Sequence, residues 1–200
     1  MIISSINPTS YAGMYKVIPT EGTSFFVRPE YLPGINFDLI DKDVEYNDSQ
    51  TEIFLDAGLA CVVELKAVAY LARCEQSRFG LNRKLTEKGF EKKYIMMALD
   101  LLESKNYLSD FRFSTAWLHS RKINHYEGRS RLLSELMSRG ISKEISNQAL
   151  DEFFEENDEM EICKKACEKL VKKGKTDEKL IAAMMQAGFS YKMIKLVLEK

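Results

Sequence analysis

The sequence predicts a mainly α-helical protein: an elongated array of three three-helix repeats behind a small N-terminal extension containing a β-hairpin. Three observations carry this reading. A helix–glycine–helix motif occurs three times, as "RKLTEKGFEKKYIMMAL" (83–99), "SELMSRGISKEISNQAL" (134–150) and "AAMMQAGFSYKMIKLVL" (182–198). All four prolines lie within residues 1–33, so none interrupts a helix later in the chain. The short β-type runs Val17-Ile18 and Phe25-Phe26-Val27 fall in the same early segment.

In the extension, "YKVIPTEGTSFFVRPEYL" (15–32) reads as a hairpin whose loop holds Pro19 and Gly22. "PGINFDLIDKD" (33–43) follows as a turn and a short extended piece. From about residue 51 the pattern is helical. "DAGLACVVELKAVAYLARCE" (56–75) offers an apolar stripe through Leu59, Val62, Val63, Leu65, Val68, Ala69 and Ala72.

Superposed on Gly89, Gly140 and Gly188, the three motifs agree in phase at spacings of 51 and 48 residues. Leu81, Leu132 and Leu180 stand eight positions before the glycine; Leu85, Leu136 and Met184 stand four before, on the same helix face. Phe90, Ile141 and Phe189 follow it directly. A glycine here can take the left-handed conformation that closes a helix. Ser142 and Ser190 are expected N-caps, and Phe90 with Ile95 and Phe189 with Ile194 have hydrophobic-staple spacing. A further helix precedes each pair, at about 60–77, 110–124 and 159–173. The expected division is therefore an extension with hairpin and acidic link over 1–58, then repeats over 59–109, 110–158 and 159–200. Such units bury their faces partly against their neighbours.

The net charge of −1 hides strong local blocks. Residues 1–60 hold nine acids and three bases, and 112–143 hold seven bases and two acids. The run "DEFFEENDEME" (151–161) has seven acids, and 163–200 has ten lysines against four acids. No stretch reaches the roughly 20 apolar residues of a membrane span, no signal peptide is read at the N-terminus, and the four cysteines lack a disulfide-scaffold spacing. A cytoplasmic protein is expected.

No phosphate-loop, dinucleotide, zinc-protease or nucleophile-elbow motif is present. His119 and His125 read as surface histidines, Cys163 and Cys167 as packing residues despite their i, i+4 spacing, and 151–161 as a solvated helix end. The expectation is a non-enzyme with no catalytic residue, metal or cofactor. More informative is the basic segment 111–140, where Arg121, Lys122, Arg129, Arg131 and Arg139 are interleaved with Trp117, His125 and Tyr126. Clustered bases near aromatics suit phosphate contact or an acidic protein surface. Phe113, Trp117 and Ile123 are read as packing residues.

The pattern resembles the RecX regulatory proteins, which modulate the RecA recombinase. "SRFGLNRKLTEKGF" (77–90) is similar to that family's R-S-x-x-E-L-x-x-K-L-x-x-K-G-[FI] segment, and "LLESKNYLSDFRFSTAWLHSR" (101–121) to its second motif, with Asn106 where glycine is common. "YEGRSRLLSELMSRGISKEISNQAL" (126–150) matches the heart of the second repeat through Gly128, Arg131, Leu132, Glu135, Leu136, Arg139, Gly140 and Ile141. The resemblance covers about residues 60–200. It implies a helical array that lodges in the groove of a RecA–single-stranded DNA filament. There it hinders ATP hydrolysis, strand exchange and coprotease action, in DNA repair, recombination and the SOS response. It also implies a monomer with no membrane partner, contacting the filament, and single- or double-stranded DNA, through Arg121, Lys122, Arg129, Arg131 and Arg139, helped by Lys172, Lys173 and Lys175. Two rival readings remain: a helix-turn-helix-like DNA-binding regulator, and a helical-repeat adaptor for a protein partner.

Overall fold

A computed structural model describes residues 1–40, 43–123 and 125–199. It opens with three strands, β1 (Ile3–Pro8), β2 (Tyr15–Pro19) and β3 (Phe25–Val27), in an antiparallel sheet of order β1-β2-β3. The expected hairpin is β2–β3, with Tyr15 opposite Val27 and Val17 opposite Phe25. β1 was not expected: its "ISSINP" carries no aromatic and little alternation, yet it pairs with β2 through Ile6 opposite Val17. Residues 37–39 form a 3-10 turn where an extended piece was expected, because the Asn36 side chain accepts from the Asp38 N–H. Asp41 and Lys42 of that segment lie outside the described residues.

The helices that follow are α1 (Asp48–Leu71), α2 (Arg78–Thr86), α3 (Lys92–Ser104), α4 (Asp110–Lys122), α5 (Arg129–Ser138), α6 (Lys143–Glu156), α7 (Glu159–Lys172), α8 (Asp177–Gln186) and α9 (Tyr191–Leu198). α1 starts at a capping box between Asn47 and Gln50, and it ends six residues before the expected 77. Ser77 instead begins the next helix by accepting the Gly80 N–H at 3.0 Å.

The chain divides into two compact units, residues 1–74 with 81–108, and residues 75–80 with 109–200. In the first, Ile3, Met14, Val17, Val27 and Leu32 pack the sheet onto Phe54, Ala57 and Cys61 of α1. The buried face of α1 keeps Val63 of the expected stripe, with Leu65 packed at its edge, but is otherwise a different one. Leu59, Val62 and Val68 are exposed, whereas Ala57, Gly58, Ala60, Glu64 and Ala67 point inward. Small residues are needed there because a Cβ on Gly58 would stand 2.9 Å from Phe25 Cδ2. Glu64 is buried because Arg28 Nε reaches both its oxygens at 2.8 Å, Tyr31 Oη donates to it at 3.1 Å, and Arg28 Nη1 donates to the Ala12 carbonyl at 2.7 Å. Burial, aided by Glu64, lifts the Tyr31 phenol far above its ordinary range, so it remains a donor.

The recurring motif folds as its spacing predicts. Gly89, Gly140 and Gly188 all have φ between +80° and +96°. The next N–H (Phe90, Ile141, Phe189) bonds back to the carbonyl of Leu85, Leu136 or Met184 at 3.3 Å, the Schellman arrangement. Asn106 closes α3 in the same way with φ +57°, a conformation asparagine tolerates. Ser142 and Ser190 cap α6 and α9 as expected. The second unit holds two cores, one on Leu118, Leu132, Leu136, Ile141 and Leu150, the other on Cys163, Leu180, Met184, Phe189 and Ile194. Ile123 is not a packing residue; it lies past the end of α4 and is 78% exposed.

Candidate interaction surface

Within the second unit, α4 begins at Ser109, whose side chain accepts the Arg112 N–H. That register turns Phe111, Phe113 and Trp117 toward the core under α5 and α6. Trp117 is half-buried, and its outer side carries charge: the Arg139 guanidinium lies 4.6 Å from the ring centroid and Arg121 5.6 Å.

The basic residues do not form an open array. Arg121 grips Glu127 through Nε at 2.7 Å and Nη2 at 2.9 Å. Arg131 and Arg139 converge on Glu135 at 2.6 and 2.7 Å, each one turn away on α5 or at its end. The hydrogen bond from Arg139, with the nearby positive charges, holds the Glu135 carboxyl below the usual range. Arg129 pairs with Asp151 at 2.7 Å, and its backbone N–H donates to Glu159 at 2.9 Å. Lys122 bonds Asn157. Two members of the acidic run 151–161 thus answer the basic segment instead of standing apart from it.

Positive charge with fewer carboxylate partners collects on α7. Lys165, Lys169, Lys172 and Lys173 surround Tyr126 in an open depression that includes Glu168, with Lys169 Nζ 5.4 Å from the tyrosine ring. Among the described residues Lys172 and Lys173 make no ion pair. Lys175 faces a different depression, beside Asp177 and Glu178. Lys165 and Lys169 were absent from the sequence-derived set, although the 165/169/172 spacing on one helix was a usable signal. A cleft next to this surface has Leu118, Leu132, Phe153 and Ile162 as its floor and Arg121, His125 and Lys165 on its rim. His119 packs edge-on to Phe153 with centroids 6.0 Å apart. Cys163 is buried, its thiol pushed up to about 11 chiefly by that burial. Among the described residues no group of three or more histidine, cysteine or acidic side chains is placed to hold a metal, and no helix is long and apolar enough to cross a membrane.

The comparisons with known proteins agree with this architecture. The family model described as "RecX, second three-helix domain" matches residues 109–150, from the Ser109 cap of α4 through α5 to the middle of α6. The regulatory protein RecX of Treponema pallidum (strain Nichols) is 36% identical over 132 residues, covering 66% of this chain and 80% of that protein. The chain belongs to the RecX family. The RecX of Clostridioides difficile is 28% identical over 166 residues, covering 80% of this chain and 78% of that one. Among solved structures, a crystal structure of regulatory protein RecX superposes with a TM-score of 0.78 at 19% identity, covering 100% of this chain and 99% of the other. RecX from Lactobacillus salivarius gives 0.61 over 70% of this chain and 95% of its own. The fold of this RecX is thus shared with the first of these neighbours over the whole chain and with the second over 70% of it.

Proposed function

We propose that this RecX is a non-enzymatic, cytoplasmic regulator that binds the RecA–single-stranded DNA filament and inhibits its ATPase, strand-exchange and coprotease activities. Membership of the RecX family is the observation that carries the reading. The second unit supports it with a surface suited to docking. A lysine cluster around Tyr126 attracts phosphates or acidic side chains, and stacking on an exposed aromatic adds a sequence-independent contact. Docking itself is the mechanism. A bound protein that spans neighbouring recombinase protomers resists the rearrangement each cycle of hydrolysis requires, and no reacting group is needed.

The ion pairs refine which residues do this. Lys172 and Lys173 meet the filament directly, with Lys175 at the margin. Arg121, Arg129, Arg131 and Arg139 are held in pairs, so they present one rigid edge of each guanidinium while shaping the surface around Trp117. Lys122 is held by its bond to Asn157. The test is the single-stranded-DNA-dependent ATPase of RecA, titrated with the wild-type protein and with Lys172→Glu/Lys173→Glu, which leaves every arginine pair in place. Inhibition by the wild type that weakens at least about tenfold in the variant, and more steeply as salt rises, is expected. No inhibition by the wild type at low salt would overturn the function, and full inhibition by the variant would overturn the lysine site.

A further inference from the structure

Two joints in the second unit are built alike. In one, Ser77 Oγ donates to the Arg139 carbonyl at 3.1 Å, and a Cβ on Gly140 would overlap the Phe79 side chain. In the other, the Gly128 N–H donates to the Ala187 carbonyl at 2.8 Å, Ser130 Oγ donates to the Gly188 carbonyl at 2.9 Å, and a Cβ on Gly188 would stand 2.5 Å from Arg131 Cβ. Counted from the turn glycine of their own repeat, Ser77 and Gly128 both hold position −12, and Phe79 and Ser130 both hold −10. The carbonyls of Arg139 and Ala187, which they meet, both hold −1. One rule describes both joints. The N-terminus of a repeat's second helix sits on the glycine turn of the next repeat, where exposed carbonyls face exposed N–H groups.

The same rule names two half-joints that have no partner among the described residues. At the start of α8, Thr176 and Glu178 occupy −12 and −10; both are exposed, and Thr176 makes no side-chain cap bond. At the α2–α3 turn, Lys88 and Gly89 form the accepting side. They too are exposed, and among the described residues nothing lies within 4 Å of where a Gly89 Cβ would be. Beside Thr176 is an apolar depression lined by Val171, Leu180, Ile181 and Leu198. Leu198 is 43% exposed, whereas Leu99 and Leu150 at the same repeat position are fully buried. The two half-joints are also complementary in charge, Glu178 on the donating side and Lys88 on the accepting one.

We propose that each half-joint is filled by a second copy of this chain, the α8 N-terminus of one molecule seating on the Lys88–Gly89 turn of the next. The contact is heterologous, so it propagates head to tail, into a ring or an open chain according to the rotation at each junction. Its footprint is one turn and one helix end, well short of the roughly 1,200–2,000 Å² of a stable interface. The molecule is therefore monomeric when dilute and associates as concentration rises.

Sedimentation equilibrium of the full chain, from low micromolar to near-millimolar concentration, tests this with Lys88→Glu and Glu178→Lys at exposed positions. The wild type should rise in weight-average mass as concentration increases. Each variant alone should associate about tenfold more weakly, since like charges then face each other. An equimolar mixture of the two should recover wild-type association, because both mixed junctions pair opposite charges again. A wild type that stays monomeric throughout overturns the proposal. So do single variants that associate like the wild type, or a mixture that does not recover.

Discussion

Replacing Glu64 by alanine takes away the carboxylate on which Arg28 and Tyr31 both depend. The Arg28 and Glu64 side chains are only 11% and 5% exposed, so water cannot replace the lost partner. Two opposite charges about 4 Å apart at an effective dielectric constant near 20 attract by about 4 kcal/mol. Breaking one side of a buried pair typically costs about 3–5 kcal/mol. With a urea m-value of about 1.5 kcal/mol per molar, the first unit's midpoint should fall by roughly 2–3 M. The double replacement Arg28→Met/Glu64→Leu removes both charges and refills the space, so it should stay within about 1–2 kcal/mol of the wild type. The assay is hydrogen exchange of peptides from α1, read against urea. Trp117, the chain's single tryptophan, lies in the second unit, so its fluorescence serves as an internal control. A Glu64→Ala cost below about 1 kcal/mol, or a double variant as unstable as the single, would refute the reasoning that this pair ties the sheet to α1.

Gly140→Ala should destabilise the second unit by about 3 kcal/mol or more, adding overlap with Phe79 to the left-handed strain of about 1–2 kcal/mol; Gly89→Ala, in open space, should show the strain alone in denaturant titrations. Ser146 is fully buried and, among the described residues, its hydroxyl has no hydrogen-bond partner; it stands where the other repeats have Ile95 and Ile194, so Ser146→Ala should raise stability by about 1 kcal/mol. Glu135 has its folded pKa below the unfolded one, so its contribution is whole above about pH 4.3 and is lost as pH falls through the folded value. Melting curves of the wild type should therefore lose more on acidification than those of Glu135→Gln. A thiol reagent should modify exposed Cys74 promptly and Cys61, pushed up to about 12 chiefly by burial, only on unfolding.

The parts of the fold that were legible in the sequence are those set by near neighbours. Glycine turns and serine caps are written within a few residues, and each appeared where its spacing placed it. The face of α1 was not legible, because it is chosen by a sheet more than twenty residues upstream. What the sheet requires is smallness at Ala57 and Gly58 and a carboxylate for Arg28, so the large aliphatics Leu59 and Val62 are left outside. β1 was illegible for the same reason: Ser4, Ser5 and Asn7 carry no strand signal of their own and are recruited by β2. On the candidate surface, the residue types were readable but their state was not. Arg129 looks like an available cation until folding brings Asp151 to it, and Arg131 and Arg139 until both reach Glu135.

The shared register of the two joints also limits how such a chain can change in length. Because an α-helix turns by about 100° per residue, losing one residue between Gly128 and Gly140 would swing the glycine turn away from Ser77 while Gly128 stayed on Ala187. Gaining or losing a whole block of about fifty residues disturbs neither joint, since the incoming block brings both a donor and an acceptor in phase. Heritable growth of this molecule is therefore expected in whole repeats, with single-residue insertions confined to positions outside the Gly128–Gly140 stretch, such as 125–127 just before it. In this sense the glycine turns act as a ruler: they fix the unit in which the chain can be lengthened.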